Sequence, residues 1–402
     1  MSRPDPSLHP STTEPIGLRA VLPPVTMLRL AAAWAVLAAF RVGGAAWLAA
    51  PAPVAAVAFA VLLAAIMTAA FAVVREADRL ADRLGEPYGT LILTLSVVTI
   101  EVILIVAVML GPGDAPTIGR DSIFAVMMII LALVVGLCVL AGGLRHHEQS
   151  YNAQGAVAYL SMTGLLVGAA LVLPNATGPG DGTVRPGAAL ALGAITVVTY
   201  GAFLAMQTGR WRRLFVQPEA GALAVPPSPS PSPSPARRGG DGPSAAGPVG
   251  DRRIVVARAV VLVAALLPIV LLAHDLAVLV DRGIAGLGAP PALGGLLIAI
   301  IVFTPESITA VGAAWRDAMQ RTVNLCLGAF LSTVGLTVPA VLLVGLATGT
   351  PVVMGIGPAE TVLLVLTLGL TGLTFLGQRT SPIQGIAHLA LFALYVVVLF
   401  GA

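Results

Sequence analysis

Two glutamates stand in runs of sequence that have no other charge. Glu101 lies within TIEVILIVAV, residues 99–108, inside an apolar stretch from Thr90 to Leu110, and Glu306 follows Thr304 and Pro305 in a second stretch from Leu293 to Ala314. A charged side chain at the centre of a bilayer costs roughly 2.5–3.5 kcal/mol on insertion scales, so one that is kept there points to function. Carboxylates, hydroxyls and backbone carbonyls are the oxygen ligands that Ca2+ takes, and Na+ takes the same kind. Two carboxylates facing each other in low dielectric cannot both ionise cheaply, and a bound cation removes that penalty. Protons and a cation then compete for the same oxygens, which is the physical requirement for exchanging one against the other.

Hydroxyls accompany each carboxylate: Thr94, Ser96 and Thr99 in the first stretch, Thr304, Ser307 and Thr309 in the second. Pro305 has no N–H to give the carbonyl of Ile301, and its ring is expected to open the helix just before Glu306. Irregular backbone at this depth is tolerated where it lines an ion site or a cavity. The apolar run after Glu306 offers Asn324, Ser332 and Thr333, whereas the run after Glu101 is almost wholly apolar, so the site should be asymmetric. The candidate cation and proton ligands are therefore Glu101, Glu306, Thr99, Thr304, Ser96, Ser307 and Asn324, with the two glutamates as metal ligands and Pro305 as the helix break. His388 in GIAHLALFALY reads as a packing histidine, and His146, His147 and Glu148 as solvated loop. No H-E-x-x-H, P-loop or nucleophile motif occurs, so neither an enzyme nor a nucleotide-driven pump is expected, and no cofactor is called for.

The elements that must carry these residues follow from composition. The chain is 57% hydrophobic and 10% charged, with a mean hydropathy of +0.95, far from a soluble domain. Eleven apolar runs are each long enough, as helices, to span roughly 30 Å of hydrocarbon. They are Leu28 to Trp47, Val54 to Val74, Thr90 to Leu110, Ile123 to Leu144, Val157 to Leu173 and Ala188 to Met206, then Val260 to Val280, Leu293 to Ala314, Val323 to Leu346, Thr361 to Gly377 and Ile383 to Phe400. The polar, Pro-rich start is not a signal peptide, and Cys138 and Cys326, inside spans of different halves, read as small apolar side chains.

All the basic residues are arginine, and alternating loops place 18 on one face. Only Arg41, Arg120, Arg185 and Arg282 fall on the other. By the positive-inside rule the N-terminus is cytoplasmic and the C-terminus outside. Such a surface orients a protein in its bilayer and is no signal for nucleic acid; nothing in the sequence identifies a protein partner. The Pro, Ser, Gly and Ala segment from Gln217 to Asp251 reads as a cytoplasmic linker. It divides the spans into one plus five and five, giving residues 1–53 for the tail and first helix, 54–206 for one repeat, 207–253 for the linker and 254–402 for a second repeat. Because five is odd, two related five-helix units sit upside down relative to each other. A shift of 205 residues aligns GTLILTLSVVTIEVI with GGLLIAIIVFTPESI, matching Thr99 with Thr304 and Glu101 with Glu306.

With these residues assembled, the chain resembles the ChaA-type sodium/calcium:proton antiporters, a branch of the cation/calcium exchanger superfamily. The resemblance runs from about Val54 to the C-terminus. It is densest in GEPYGTLILTLSVVTIEV, RDSIFAVMMIILALVVGLCVLAGGL, TPESITAVGAAWRDAMQRTVNLCLGAFLSTVGLTVPAV and GIAHLALFALY. It implies an all-α membrane exchanger of eleven helices, one plus five plus five, with Glu101 and Glu306 at the ion and proton site. Two departures stand out: SVVTIE and VFTPE replace the Gly-Asn usual before the repeat glutamate, and Gly328-Ala329 replaces a Gly-Ser pair. The implied activity is export of Ca2+, Na+ or both, and of K+ within the same class, against protons across a bacterial inner membrane. The alternative class is a cation channel or uniporter without proton coupling.

Overall fold

The computed structural model describes residues 23–84, 88–111, 116–177, 180–217, 252–290 and 292–401. The Ser-Pro run of the linker lies outside them. Among the described residues eleven apolar helices follow in order, ten of them long and apolar enough throughout to cross a membrane. They are α1 (Pro24–Leu48), α2 (Ala52–Leu84), α3 (Tyr88–Met109), α4 (Ile118–His146), α5 (Ala153–Ala176), α6 (Pro186–Thr208), α7 (Arg252–Leu287), α8 (Ala292–Trp315), α9 (Met319–Thr348), α10 (Pro358–Phe375) and α11 (Pro382–Gly401). Helices are the forced choice here, because in hydrocarbon each backbone N–H and C=O has to be satisfied within its own segment. Their ends are set locally: Asn152 accepts from the amides of Gln154 and Gly155 to start α5, and Gly349, at φ 71°, lets α9 stop in the left-handed region.

Helix length exceeds the apolar windows. α2 continues past Val74 to Leu84, and α7 begins at Arg252 rather than Val260. Hydropathy measures the slab a helix crosses, whereas charged residues such as Arg79 and Arg258 prolong a helix beyond it. Two helices change pitch inside the bundle, α4 at Met128–Val134 and α5 at Gly168–Val172, both in π-helical geometry. α8 carries Pro305 without a break in its helical course. The expected opening of that helix is therefore the loss of one backbone rung, the Ile301 carbonyl losing the N–H of residue 305.

The packing repeats itself when the halves are exchanged. α2 packs on α7; α3 on α9 as α8 does on α4; α6 on α9 as α11 does on α4; α7 on α3 as α2 does on α8. The loops obey the same rule at opposite ends of the bundle. At the end where the linker attaches, Gln149–Ser150 pairs antiparallel with Arg379–Thr380. At the far end Thr183 bridges Val353, and Val353 N donates to Pro116 O. This is the two-fold pseudosymmetry of inverted five-helix units, with α1 added outside against α2 and α7.

α4 and α9 form the centre. In their most apolar windows 83% and 78% of residues are buried, against 22% for α1 and 28% for α6 and α11, whose apolar side chains turn outward. Small residues let the central helices approach. A Cβ at Gly295 of α8 would fall 2.7 Å from the α4 backbone at Asp121 and Ser122, and one at Gly335 of α9 would fall 2.5 Å from the Tyr200 ring of α6.

Candidate cation and proton site

Glu101 and Glu306 enter this centre from the two halves, on α3 and α8, and both are buried, at 0% and 4% exposure. Glu101 accepts a 2.7 Å hydrogen bond at Oε2 from the hydroxyl of Thr333 on α9. Its Oε1, also buried, has no hydrogen-bond partner among the described residues. Thr337, one turn further along α9, brings its buried hydroxyl to the same carboxylate. Glu306 borders a cavity of about 10 Å3, walled by Ser307 and Ala310 of α8, Ile130 and Val134 from the π-helical stretch of α4, and Cys326 and Ala329 of α9. That volume is about the space of one water molecule. The wider π-helical turn of α4 falls where it helps shape the cavity, as such turns often do at functional sites.

The glutamates therefore meet one helix. Cys326, Ala329, Thr333 and Thr337 recur at spacings of three and four, so they share a face of α9. Glu306 abuts its first part and Glu101 its second. The seven steps from Cys326 to Thr333 span about 10 Å along the axis. Among the described residues no three His, Cys, Asp or Glu side chains gather to hold a metal.

The other expected ligands each have a hydrogen bond within the protein. Ser96, Thr99, Thr304 and Ser307 each donate to the carbonyl four residues earlier in their own helix, at 2.7, 2.7, 2.6 and 2.7 Å. Thr99 is exposed on the bundle surface, and Ser307 lines the cavity beside Glu306. Asn324 is buried but donates 2.7 Å to Phe215 O and accepts 2.9 Å from Gln320, fastening the turn at Arg212–Phe215 to α9. Ser332 bonds Tyr200 at 2.6 Å, so of the three polar residues offered by α9 it is Thr333 that turns to a carboxylate. His388 is fully buried with Nε2 3.0 Å from the Thr374 hydroxyl. Sequence reasoning passed over Thr337, whose signal was its spacing of four from Thr333. It also passed over Glu76, buried at 1% exposure in α2 just beyond the point where the apolar run was taken to end.

Comparison with known proteins agrees with this architecture. The chain is 35% identical over 326 residues to the sodium-potassium/proton antiporter ChaA of Escherichia coli K12, covering 81% of this chain and 84% of that one. Among solved structures, native YfkE aligns with a TM-score of 0.67 over 94% of this chain and 100% of its own, at 18% identity. The H+/Ca2+ exchanger CAX aligns at 0.62 over 92% and 88%, at 12% identity, so both show the fold. The sequence profile described as sodium/calcium exchanger protein matches residues 54–209 and 258–401, the two stretches that hold Glu101 and Glu306. This chain, a multi-pass membrane protein, belongs to the sodium/calcium exchanger family.

Proposed function

We propose that the protein is a secondary antiporter that moves Na+, K+ or Ca2+ out of the cytoplasm in exchange for protons, with Glu101 and Glu306 as the groups that hold them. The observation that carries this reading is the pair of buried carboxylates, one from each inverted half, set against a single face of α9. A carboxylate oxygen left without a hydrogen bond in low dielectric favours a proton or a cation as its partner. The printed names of the relatives support protons as the coupling ion: ChaA is a sodium-potassium/proton antiporter, and CAX an H+/Ca2+ exchanger. The arginine bias puts the linker end, and the N-terminus, in the cytoplasm of a bacterial cell, with the C-terminus outside. Residues 54–206 and 254–402 are then the two moving units, joined by the linker at 207–253. Their relatives are transporters, and the reading requires no cofactor beyond the ions carried.

The test uses proteoliposomes with an acid interior and an enclosed pH dye. Adding Na+, K+ or Ca2+ outside should alkalinise the lumen, and the three initial rates rank the ions. Because protons compete with the cation, lowering the external pH should raise the cation concentration that gives half-maximal rate. A flat pH trace while tracer cation still moves would make the protein a channel or uniporter and overturn the reading. Thr333→Val keeps the side-chain shape and removes the hydroxyl. Hydrogen bonds to charged groups are worth about 1.5–3 kcal/mol, so half-saturation should rise roughly tenfold. Unchanged half-saturation would leave Thr333 with packing alone.

A further inference from the structure

α2 and α7, the first helices of the two halves, differ sharply at their two ends. At the linker end Glu76 of α2, its side chain wholly buried, meets Arg258 Nη1 of α7 at 2.9 Å, and Arg79 one turn on in α2 bonds the other carboxylate oxygen. At the far end the same two helices stand apart around a cavity of about 530 Å3. Ala52, Ala55 and Phe59 of α2 line one side, Leu279, Gly283 and Leu287 of α7 the other, and Leu293 of α8 closes it. From Glu76 to Ala55 is 21 residues, and from Arg258 to Leu279 is also 21. Both helices therefore carry this contrast across about 30 Å, the thickness of the hydrocarbon.

We infer that the Glu76–Arg258 pair is a latch that closes access from the linker end and has to part in each transport cycle. The inference rests on the antiporter reading above, since alternating access is what demands that the ends of one helix pair open in turn. Ions are not needed merely to hold α2 on α7: a buried ion pair is nearly neutral for stability against apolar residues of the same size. That near balance is what suits a moving contact, because water that enters on opening hydrates both charges, whereas parted apolar side chains gain nothing from it. Arg79 refines the device. It is about one-third exposed and on the same helix as Glu76, so the carboxylate keeps a cation beside it when Arg258 withdraws. The contact is closed in this structure, whereas the far ends of the same two helices border the cavity.

The test joins the latch covalently in the full chain. Glu76→Cys with Arg258→Cys is reconstituted, bridged by a flexible bis-methanethiosulfonate linker, which forms a mixed disulfide with each thiolate and expels sulfinate, and is later released by excess thiol reductant. Cys138 and Cys326 are buried, and the unaltered chain treated in the same way is the control. Bridging should lower the exchange rate at least about tenfold, with recovery on reduction, because only the small unbridged fraction could open. A fully bridged protein that exchanges at the unbridged rate overturns the latch. Failure of the unaltered chain to exchange at all would instead overturn the antiporter reading. Should the cysteine pair disable the unbridged protein, hydrogen exchange on the unaltered chain decides. Amides of residues 73–80 and 256–262 should differ in protection by roughly threefold or more between cation-free acid and cation-saturated alkaline conditions, after correction for intrinsic rates. Equal protection in both conditions overturns the inference.

Discussion

Glu101→Gln and Glu306→Gln should each lower cation-triggered proton flux by at least about a hundredfold. Glutamine preserves the volume and can still accept the Thr333 hydroxyl, but it neither carries a charge nor takes up and releases a proton in the working pH range. Without the carboxylate both the proton and the cation lose a ligand, and a loss of about 3 kcal/mol in binding, at 1.4 kcal/mol per factor of ten, is a loss of two orders of magnitude. The readout is the initial rate of luminal alkalinisation, alongside thermal unfolding in detergent to show that both variants keep the wild-type fold. A variant that retains more than about a tenth of the rate would remove its glutamate from the exchange. The asymmetry of the site sharpens the comparison. Glu101 faces the hydroxyls of Thr333 and Thr337, whereas Glu306 faces Cys326, Ala329 and a water-sized cavity, so equilibrium cation binding should weaken more in Glu101→Gln than in Glu306→Gln.

Gly295→Leu should yield no folded protein. A Cβ at this position lies 2.7 Å from the carbonyl carbon of Asp121 and from the amide nitrogen of Ser122, which are backbone atoms of α4, so no change of side-chain rotamer relieves the overlap. Even Gly295→Ala should cost about 2–3 kcal/mol, the upper range for overpacking, because α8 has to move away from the central helix. Glu306 rides on α8 eleven residues further on and is walled by the π-helical stretch of α4, so the alanine variant should also transport poorly. Size-exclusion chromatography and thermal aggregation measure the first effect, and the proteoliposome assay the second. Gly369→Ala, where a Cβ meets nothing within 4 Å, is the control and should behave as wild type. A monodisperse Gly295→Leu protein would mean that the α8–α4 contact is looser than its geometry requires.

Much of this was legible in the chain itself. Eleven apolar runs, divided by the linker into one plus five and five, and the paired Thr-x-Glu stretches were enough to place one helix and two inverted five-helix units, since each span follows from the thickness of hydrocarbon and the need to satisfy the backbone within it. The same logic singled out Glu101 and Glu306, because a lone carboxylate in such a run is conspicuous whatever surrounds it. Hydroxyls are not conspicuous in that way. A serine or threonine in a helix can donate to the carbonyl one turn back, which is where Ser96, Thr99, Thr304 and Ser307 place their protons, so nearness in sequence to a glutamate says little about ligation. Asn324 shows the same limit, its amide being spent on Phe215 across 109 residues of chain.

Periodicity and cost of burial, both properties of a segment alone, thus determined the spans, the inverted plan and the two carboxylates. Which helix each residue faces depends on the rotation and depth of neighbouring helices, and that only the packed bundle decided. It put Thr333 and Thr337 of α9 against Glu101, set the π-helical stretch of α4 beside Glu306, and turned Glu76, at the fringe of an apolar run, into half of a buried ion pair with Arg258, 182 residues away. Such contacts join residues whose spacing along the chain carries no record of their meeting.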